Sequence, residues 1–142
     1  MPQIALETIQ AQIASVLASW GMPDEHVKTT AELMVEADAR GIDSHGIGML
    51  PQYHDRRKDG RIIVPGDIRV VKDLPAMTFI DAGHALGHVP AKMAMQSAID
   101  KAKDMGVAIG VVRDSNHFGA AGVYSTMALE QGMIGIAMTG TS

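Results

Sequence analysis

His117 lies in the stretch Arg113-Asp114-Ser115-Asn116-His117-Phe118-Gly119-Ala120-Ala121-Gly122, which sets one titratable ring between an apolar run and a glycine-bracketed helix start. A neutral imidazole in such a place can exchange a proton with a substrate oxygen near pH 7. The small residues after it let a backbone or a flat ring approach closely, and a helix amino terminus attracts anionic groups. The competing reading is a loop histidine that only makes hydrogen bonds.

Two further clusters invite chemistry. Asp43-Ser44-His45-Gly46 places a hydroxyl beside an imidazole. Side chains adjacent in sequence usually diverge, so a hydrogen-bonded Ser-His nucleophile is not expected; Ser44 as a helix cap beside an exposed His45 is the structural alternative. His84 and His88 stand four apart with Asp81 nearby, but Gly83 and Gly87 argue against one regular helix holding both rings, and no metal site is expected. Gly119 to Gly122 has the wrong spacing for a Rossmann fingerprint or a phosphate loop.

The elements that must position these residues follow from periodicity. Ile4, Ile9, Ile13, Val16, Leu17 and Trp20 predict a helix over 4–20 that Gly21 ends. Pro23-Asp24-Glu25 starts a second one that Gly41 ends, with Val27, Ala31, Met34 and Val35 as its buried stripe and Asp38 interrupting that face. A third helix starts near Gly48 to Pro51. Turn signals then bracket short strands at Ile68 to Val71 and Met77 to Ile80. A helix of about 17 residues begins near Val89, followed by a buried strand at 107–112, a helix at 120–131 and a last strand at 133–139. A domain boundary falls near residues 60–66, giving 1–62 as a helical part and 63–142 as a mixed one.

The chain has 142 residues, 46% hydrophobic and 20% charged, with a net charge of −4, which fits a folded globular chain and gives no electrostatic reason to expect nucleic acid or an anionic membrane. Arg56-Arg57-Lys58 reads as a solvated last helical turn. With no cysteine, disulfides and thiolate chemistry are excluded. No signal peptide or run of membrane-spanning length is evident, so a cytoplasmic location is expected. The eleven methionines read mostly as packing.

Two segments in order, Arg40-Gly41-Ile42-Asp43-Ser44-His45-Gly46-Ile47 and Ser115-Asn116-His117-Phe118-Gly119-Ala120-Ala121-Gly122, resemble the paired signatures of the malate/L-lactate dehydrogenase family of NAD(P)-dependent oxidoreductases. Residues 91–106 and 132–139 are similar to that family too. The resemblance implies an α+β fold: a helical amino-terminal subdomain followed by part of a non-Rossmann nucleotide-binding domain, usually dimeric. It implies a small 2-hydroxy or 2-oxo acid substrate and NAD or NADP as cofactor. His117 would be the proton donor and acceptor, with Ser44 and His45 lining the site, and Asn116, Thr141 and Ser142 would lie on the cofactor side.

Two departures stand out. Met49 occupies a position where many relatives carry an arginine, which would suit a substrate carboxylate through a bidentate pair. The chain is also short for the family, so an amino-terminal portion of a dehydrogenase is expected. The reading from another class is a non-catalytic binding or assembly module.

Overall fold

The computed structural model describes residues 4–140. In chain order its elements are helix α1 (Leu6–Ser19), helix α2 (Asp24–Ala39), two single 3-10 turns (Asp43–His45 and Ile47–Met49), helix α3 (Leu50–Lys58), strands β1 (Arg69–Leu74) and β2 (Met77–Asp81), helix α4 (His88–Met105), strand β3 (Ile109–Arg113) and helix α5 (Ala121–Leu129). Helices come first and a small sheet with helices follows, the α+β class expected from the sequence.

Helix α2 is the hub because both its sides are apolar. Val27, Ala31, Met34 and Val35 pack with Ile13 and Leu17 of α1, Tyr53 of α3, Ile62 and Leu86. On another side, Leu33 and Ala37 meet Ala120, Val123 and Tyr124 at α5. Ile13 and Leu17 are fully buried, and each contributes roughly 2 kcal/mol through removal of its side chain from water. Pro51 falls in the first turn of α3, where its missing donor costs nothing.

The sheet runs β1-β2-β3. β1 pairs antiparallel with β2, with a register irregularity between Val70 and Lys72. β2 pairs in parallel with β3 from Met77–Ile109 to Asp81–Arg113, and α4 makes the crossover that a parallel pair requires. At the far end of the ladder Asp81 accepts two bonds from the Arg113 guanidinium, at 2.8 and 3.1 Å.

Several expectations are corrected. The segment 133–139 is not a strand: it has no regular secondary structure, and among the described residues no strand pairs with it. Its period-two pattern is real, since Met133, Gly135 and Ala137 are half-buried while Ile134, Ile136 and Met138 project into solvent. The strand at 107–112 begins only at Ile109, and it is not buried: Ile109 is 51% exposed, because β3 is a sheet edge that α4 covers from one side. Among the methionines, Met22 and Met34 are in the core while Met93, Met105 and Met138 are exposed.

Candidate functional site

The β2–β3 pairing does not stop where the strands do. Beyond Asp81–Arg113, backbone bonds continue from Ala82 N–H to Arg113 C=O (3.0 Å), His84 N–H to Asp114 C=O (2.7 Å), Asn116 N–H to Ala85 C=O (3.1 Å) and Gly87 N–H to His117 C=O (2.9 Å). The loop bearing His117 is thereby zipped onto the start of α4. Gly87 makes the contact possible, since a β-carbon there would come within 2.4 Å of the Asn116 carbonyl oxygen. At the facing positions His84 and Asp114 the backbone has positive φ, 59° and 50°, a conformation that costs a non-glycine residue about 1–2 kcal/mol.

The loop holds His117 half-buried against two other rings, those of His45 and Tyr53. His45 is tilted over it with ring centroids 5.3 Å apart. Tyr53, fully buried on α3, places its hydroxyl 2.7 Å from His117 Nδ1. The Gly119 N–H donates to the same nitrogen at 3.3 Å. A backbone N–H can only donate, so Nδ1 is the accepting nitrogen of the neutral ring, Nε2 carries its proton, and Tyr53 also donates to Nδ1. Burial, then the charges of His45 and Arg56, hold the His117 pKa below the ordinary histidine value. Near neutral pH the ring is therefore uncharged.

On the other side of Tyr53 lies His88, in the first turn of α4. It is 1% exposed and packs edge-on to Tyr53, with centroids 5.9 Å apart and planes at 79°. Neither of its ring nitrogens has a hydrogen-bond partner. Burial, with a smaller contribution from His117, pushes its pKa down to about 3.

Ser44 and His45 are brought to the site, and the structure corrects one expectation about them. The Ser44 hydroxyl and His45 Nδ1 are 2.8 Å apart: the 3-10 turn at Asp43–His45 curls the adjacent side chains together, where an extended loop would splay them. Ser44 does not cap a helix. The turn is instead tied down by Asp38, whose carboxylate accepts the Ile47 N–H at 2.9 Å. A β-carbon at Gly46 would overlap that carboxylate.

Asn116 is turned to a different task from the one its neighbours suggest. Its side-chain amide donates to the carbonyls of Arg61 (2.9 Å) and His84 (2.7 Å), which joins the segment after α3 to the His117 loop and leaves only its carbonyl oxygen for anything else. Thr141 and Ser142 lie outside the described residues. Of the paired histidines, His88 is buried while His84 is exposed, and no group of three metal-ligating side chains occurs among the described residues.

Tyr53, Arg56 and His88 are the neighbours of His117 that sequence reasoning did not select. Arg56 is half-buried one turn after Tyr53, and among the described residues it makes no ion pair. Arg57, beside it, lies instead over the Trp20 ring at 5.4 Å. The only signal for Tyr53 was a polar tip on an otherwise apolar helix stripe. Elsewhere a groove of about 620 Å³ runs between α4 and strands β1 and β2, lined by Thr78, Lys92, Ser97 and Lys101 among others; it holds none of the site residues.

The chain and its fold are similar to known proteins. A family model described as malate/L-lactate dehydrogenase matches residues 4–142. L-sulfolactate dehydrogenase of Methanocaldococcus jannaschii is 48% identical over 129 residues, covering 91% of this chain and 38% of the relative. Ureidoglycolate dehydrogenase (NAD(+)) of Escherichia coli is 36% identical over 136 residues, 96% of this chain and 39% of the relative. The solved sulfolactate dehydrogenase of M. jannaschii superimposes with a TM-score of 0.86 at 44% identity over 90% of this chain and 37% of that one. Malate dehydrogenase of Pyrococcus horikoshii gives 0.85 at 38% identity, covering 92% of this chain and 38% of that one. The chain thus spans about two-fifths of the length of the curated relatives it matches. No described helix is long and apolar enough to cross a membrane.

Proposed function

The chain belongs to the malate/L-lactate dehydrogenase family, and from that premise we propose that it forms the proton-transfer side of an NAD(P)-dependent dehydrogenase interconverting a 2-hydroxy acid and its 2-oxo acid. The observation that carries this reading is a half-buried His117 whose Nδ1 is held from behind by Tyr53 and Gly119, so that Nε2 is the nitrogen left for a substrate oxygen.

When bound, the nicotinamide supplies or accepts the hydride; moving the proton is left to this chain. In the oxidising direction the working form is the other neutral tautomer, with the ring proton moved from Nε2 to Nδ1 and donated to the Tyr53 oxygen; Nε2 then takes the substrate hydroxyl proton and the ring becomes imidazolium. In the reducing direction the imidazolium returns the Nε2 proton to the oxo oxygen. His45, held by Ser44, flanks the ring on its open side and would orient the substrate. The unpaired Arg56 is the candidate partner for the substrate carboxylate, taking the place of the arginine absent at Met49.

The side chains present fit a nicotinamide in kind. The Ser44 hydroxyl and the carbonyl oxygen of Asn116 could face its carboxamide, and Thr141 and Ser142 would continue the cofactor side. The division into a helical part, 1–62, and a mixed part, 63–142, belongs to the same reading, as do a homodimeric assembly and a cytoplasmic location.

The test joins this chain to the remaining length of the M. jannaschii sulfolactate dehydrogenase and follows NADH and NADPH oxidation over a panel of 2-oxo acids. His117→Gln is expected to lower turnover by about 10²–10⁴-fold, the usual contribution of a positioned acid/base. Reduction should slow, and oxidation quicken, as pH rises through a midpoint below the ordinary histidine value. Turnover within twofold of the parent in His117→Gln would sink the assignment, as would a folded fusion with no turnover on any acid.

One observation favours a second reading. The exposed ridge Ile134, Ile136 and Met138 suits an assembly module, which predicts association without nucleotide affinity. Sedimentation combined with NADH titration separates the two.

A further inference from the structure

Asn116 and His117 are neighbours on one loop, and each reaches back to the same body of the molecule. The Asn116 side-chain amide donates to the Arg61 carbonyl at 2.9 Å and to the His84 carbonyl at 2.7 Å. Only the NH2 end of an amide can satisfy two carbonyls, so these partners fix which way the Asn116 side chain is turned. His117 meets the Tyr53 hydroxyl through Nδ1 at 2.7 Å. Tyr53 lies on α3 and Arg61 just beyond its end, and Ile62, next to Arg61, is 2% exposed and packs in the same core cluster as Tyr53. The two anchors therefore belong to one packed unit.

Two points of attachment fix an orientation where one leaves a pivot. Held by Tyr53 alone, the imidazole could swing about Nδ1 and carry Nε2 across the open side of the site. The Asn116 clasp, one residue away, removes that freedom, and a small misplacement of a reacting group is costly in rate. The other tethers of the loop, from Asn116 N–H to Ala85 C=O and from Gly87 N–H to His117 C=O, run to the turn before α4 instead. The clasp also has a strained partner. His84, whose carbonyl takes the Ile63 N–H at 3.0 Å as well as the Asn116 amide, has φ of +59°, a conformation that a non-glycine residue keeps where surrounding bonds over-determine it.

We propose that Asn116 is a positioning residue for His117: by clasping the Arg61 and His84 carbonyls it holds the loop against α3, so that the Tyr53 hydroxyl and His117 Nδ1 stay in register and Nε2 keeps one aim. The catalytic meaning of that aim rests on the acid/base assignment of His117, but the clasp itself can be read without cofactor or turnover.

The experiment is nitrogen NMR of the His117 ring in this chain as a function of pH. Asn116 is uncharged, so its replacement leaves in place the charged and titratable groups around the ring: His45 of the 3-10 turn, Tyr53 and Arg56 of α3, and His88 of α4. Burial is the main reason why the His117 pKa lies below the ordinary value. By freeing the ring and admitting water, Asn116→Ala is expected to raise the titration midpoint by about half a pH unit, about threefold more imidazolium at a given pH. Asn116→Ser, which keeps a single donor, should fall between the two, and it carries the test if Asn116→Ala does not fold. In a Tyr53→Phe background the same replacement should move the midpoint far less, since the clasp then has no register to hold. Ile99→Val, a loss of packing elsewhere on α4, should lower the thermal midpoint and leave the titration in place.

A midpoint unmoved by Asn116→Ala, or by Asn116→Ser where that variant carries the test, overturns the proposal. So does an equal shift with Tyr53 absent, or an equal shift from Ile99→Val. In the fusion with the M. jannaschii dehydrogenase, Asn116→Ala should lower kcat by about tenfold; a rise confined to the KM for NAD(P)H at unchanged kcat would overturn the proposal in favour of a cofactor contact. A shifted midpoint in a chain whose fusion lacks NAD(P)H-linked turnover overturns the dehydrogenase reading and leaves the clasp standing.

Discussion

Two histidines stand near His117, His45 against its ring and His88 behind Tyr53, and they are built in opposite ways. His45 is on the solvent side, partly exposed, carried on a single 3-10 turn and hydrogen-bonded to its neighbour Ser44. His88 is on the dry side, fully enclosed at the start of an 18-residue helix, with no hydrogen bond at all. The same side chain thus meets two environments across one ring. Where water can reach, a polar contact is cheap to make and cheap to lose; where it cannot, each nitrogen and each ångström of packing has a cost. The dry side should therefore govern stability and the titration of His117, and the wet side should govern access.

The sharpest way to break that contrast is Gly119→Ala. Gly119 has φ of +80°, and a β-carbon there would lie 2.7 Å from His88 Nε2. The left-handed backbone costs alanine about 1–2 kcal/mol, and forcing a methyl against a packed ring adds roughly 1–3 kcal/mol. Urea denaturation should show a loss of about 2–5 kcal/mol. A change below about 0.5 kcal/mol would mean that the dry side yields easily, and the contrast between the two flanks would collapse.

A smaller effect follows from His88 titration. Its folded pKa, about 3, lies below the unfolded value of 6.5. The unfolded chain thus binds the extra proton first as pH falls, and stability drains away from about pH 6.5 down toward 3. Between pH 6 and 5 this one residue should remove about 1 kcal/mol. His88→Phe should flatten the dependence by that amount, with His117 contributing in the same direction in both proteins. Parallel curves for the two proteins would show that His88 takes up its proton within the fold.

The contrast also explains what was legible in the sequence. Helices α1, α2 and α4 were, because their buried residues recur every three or four positions, and the position of His117 after a strand was, because an apolar run ends where the glycines begin. Tyr53 was hidden, since a tyrosine at a core position of α3 reads as apolar until its hydroxyl is seen to reach across 64 residues to His117. His88 was set aside: its spacing from His84 only superficially resembled a metal pair, and nothing in the sequence showed that its ring would be buried against Tyr53. Asp38 gave a signal that could be noticed but not interpreted, as an acid on a buried face that turns out to anchor the turn bearing Ser44 and His45. The segment 133–139 shows the limit from the other direction, because alternation reports which side chains face inward but not whether a second strand is there to pair.

The wet flank has its own test, with the smallest expected effect. Ser44 is exposed, and its bond to His45 competes directly with water. Replacing it by alanine should cost no more than about 0.5 kcal/mol, the low end for a solvent-accessible hydrogen bond, and should leave the His117 titration midpoint in place. What Ser44→Ala should change is the freedom of the His45 ring, visible as faster relaxation of its ring signals by NMR. A loss of more than about 2 kcal/mol would show that the 3-10 turn is held by this side-chain pair. In that case the bond from Ile47 N–H to Asp38 would not be the main anchor, and the open flank of His117 would be as constrained as the closed one.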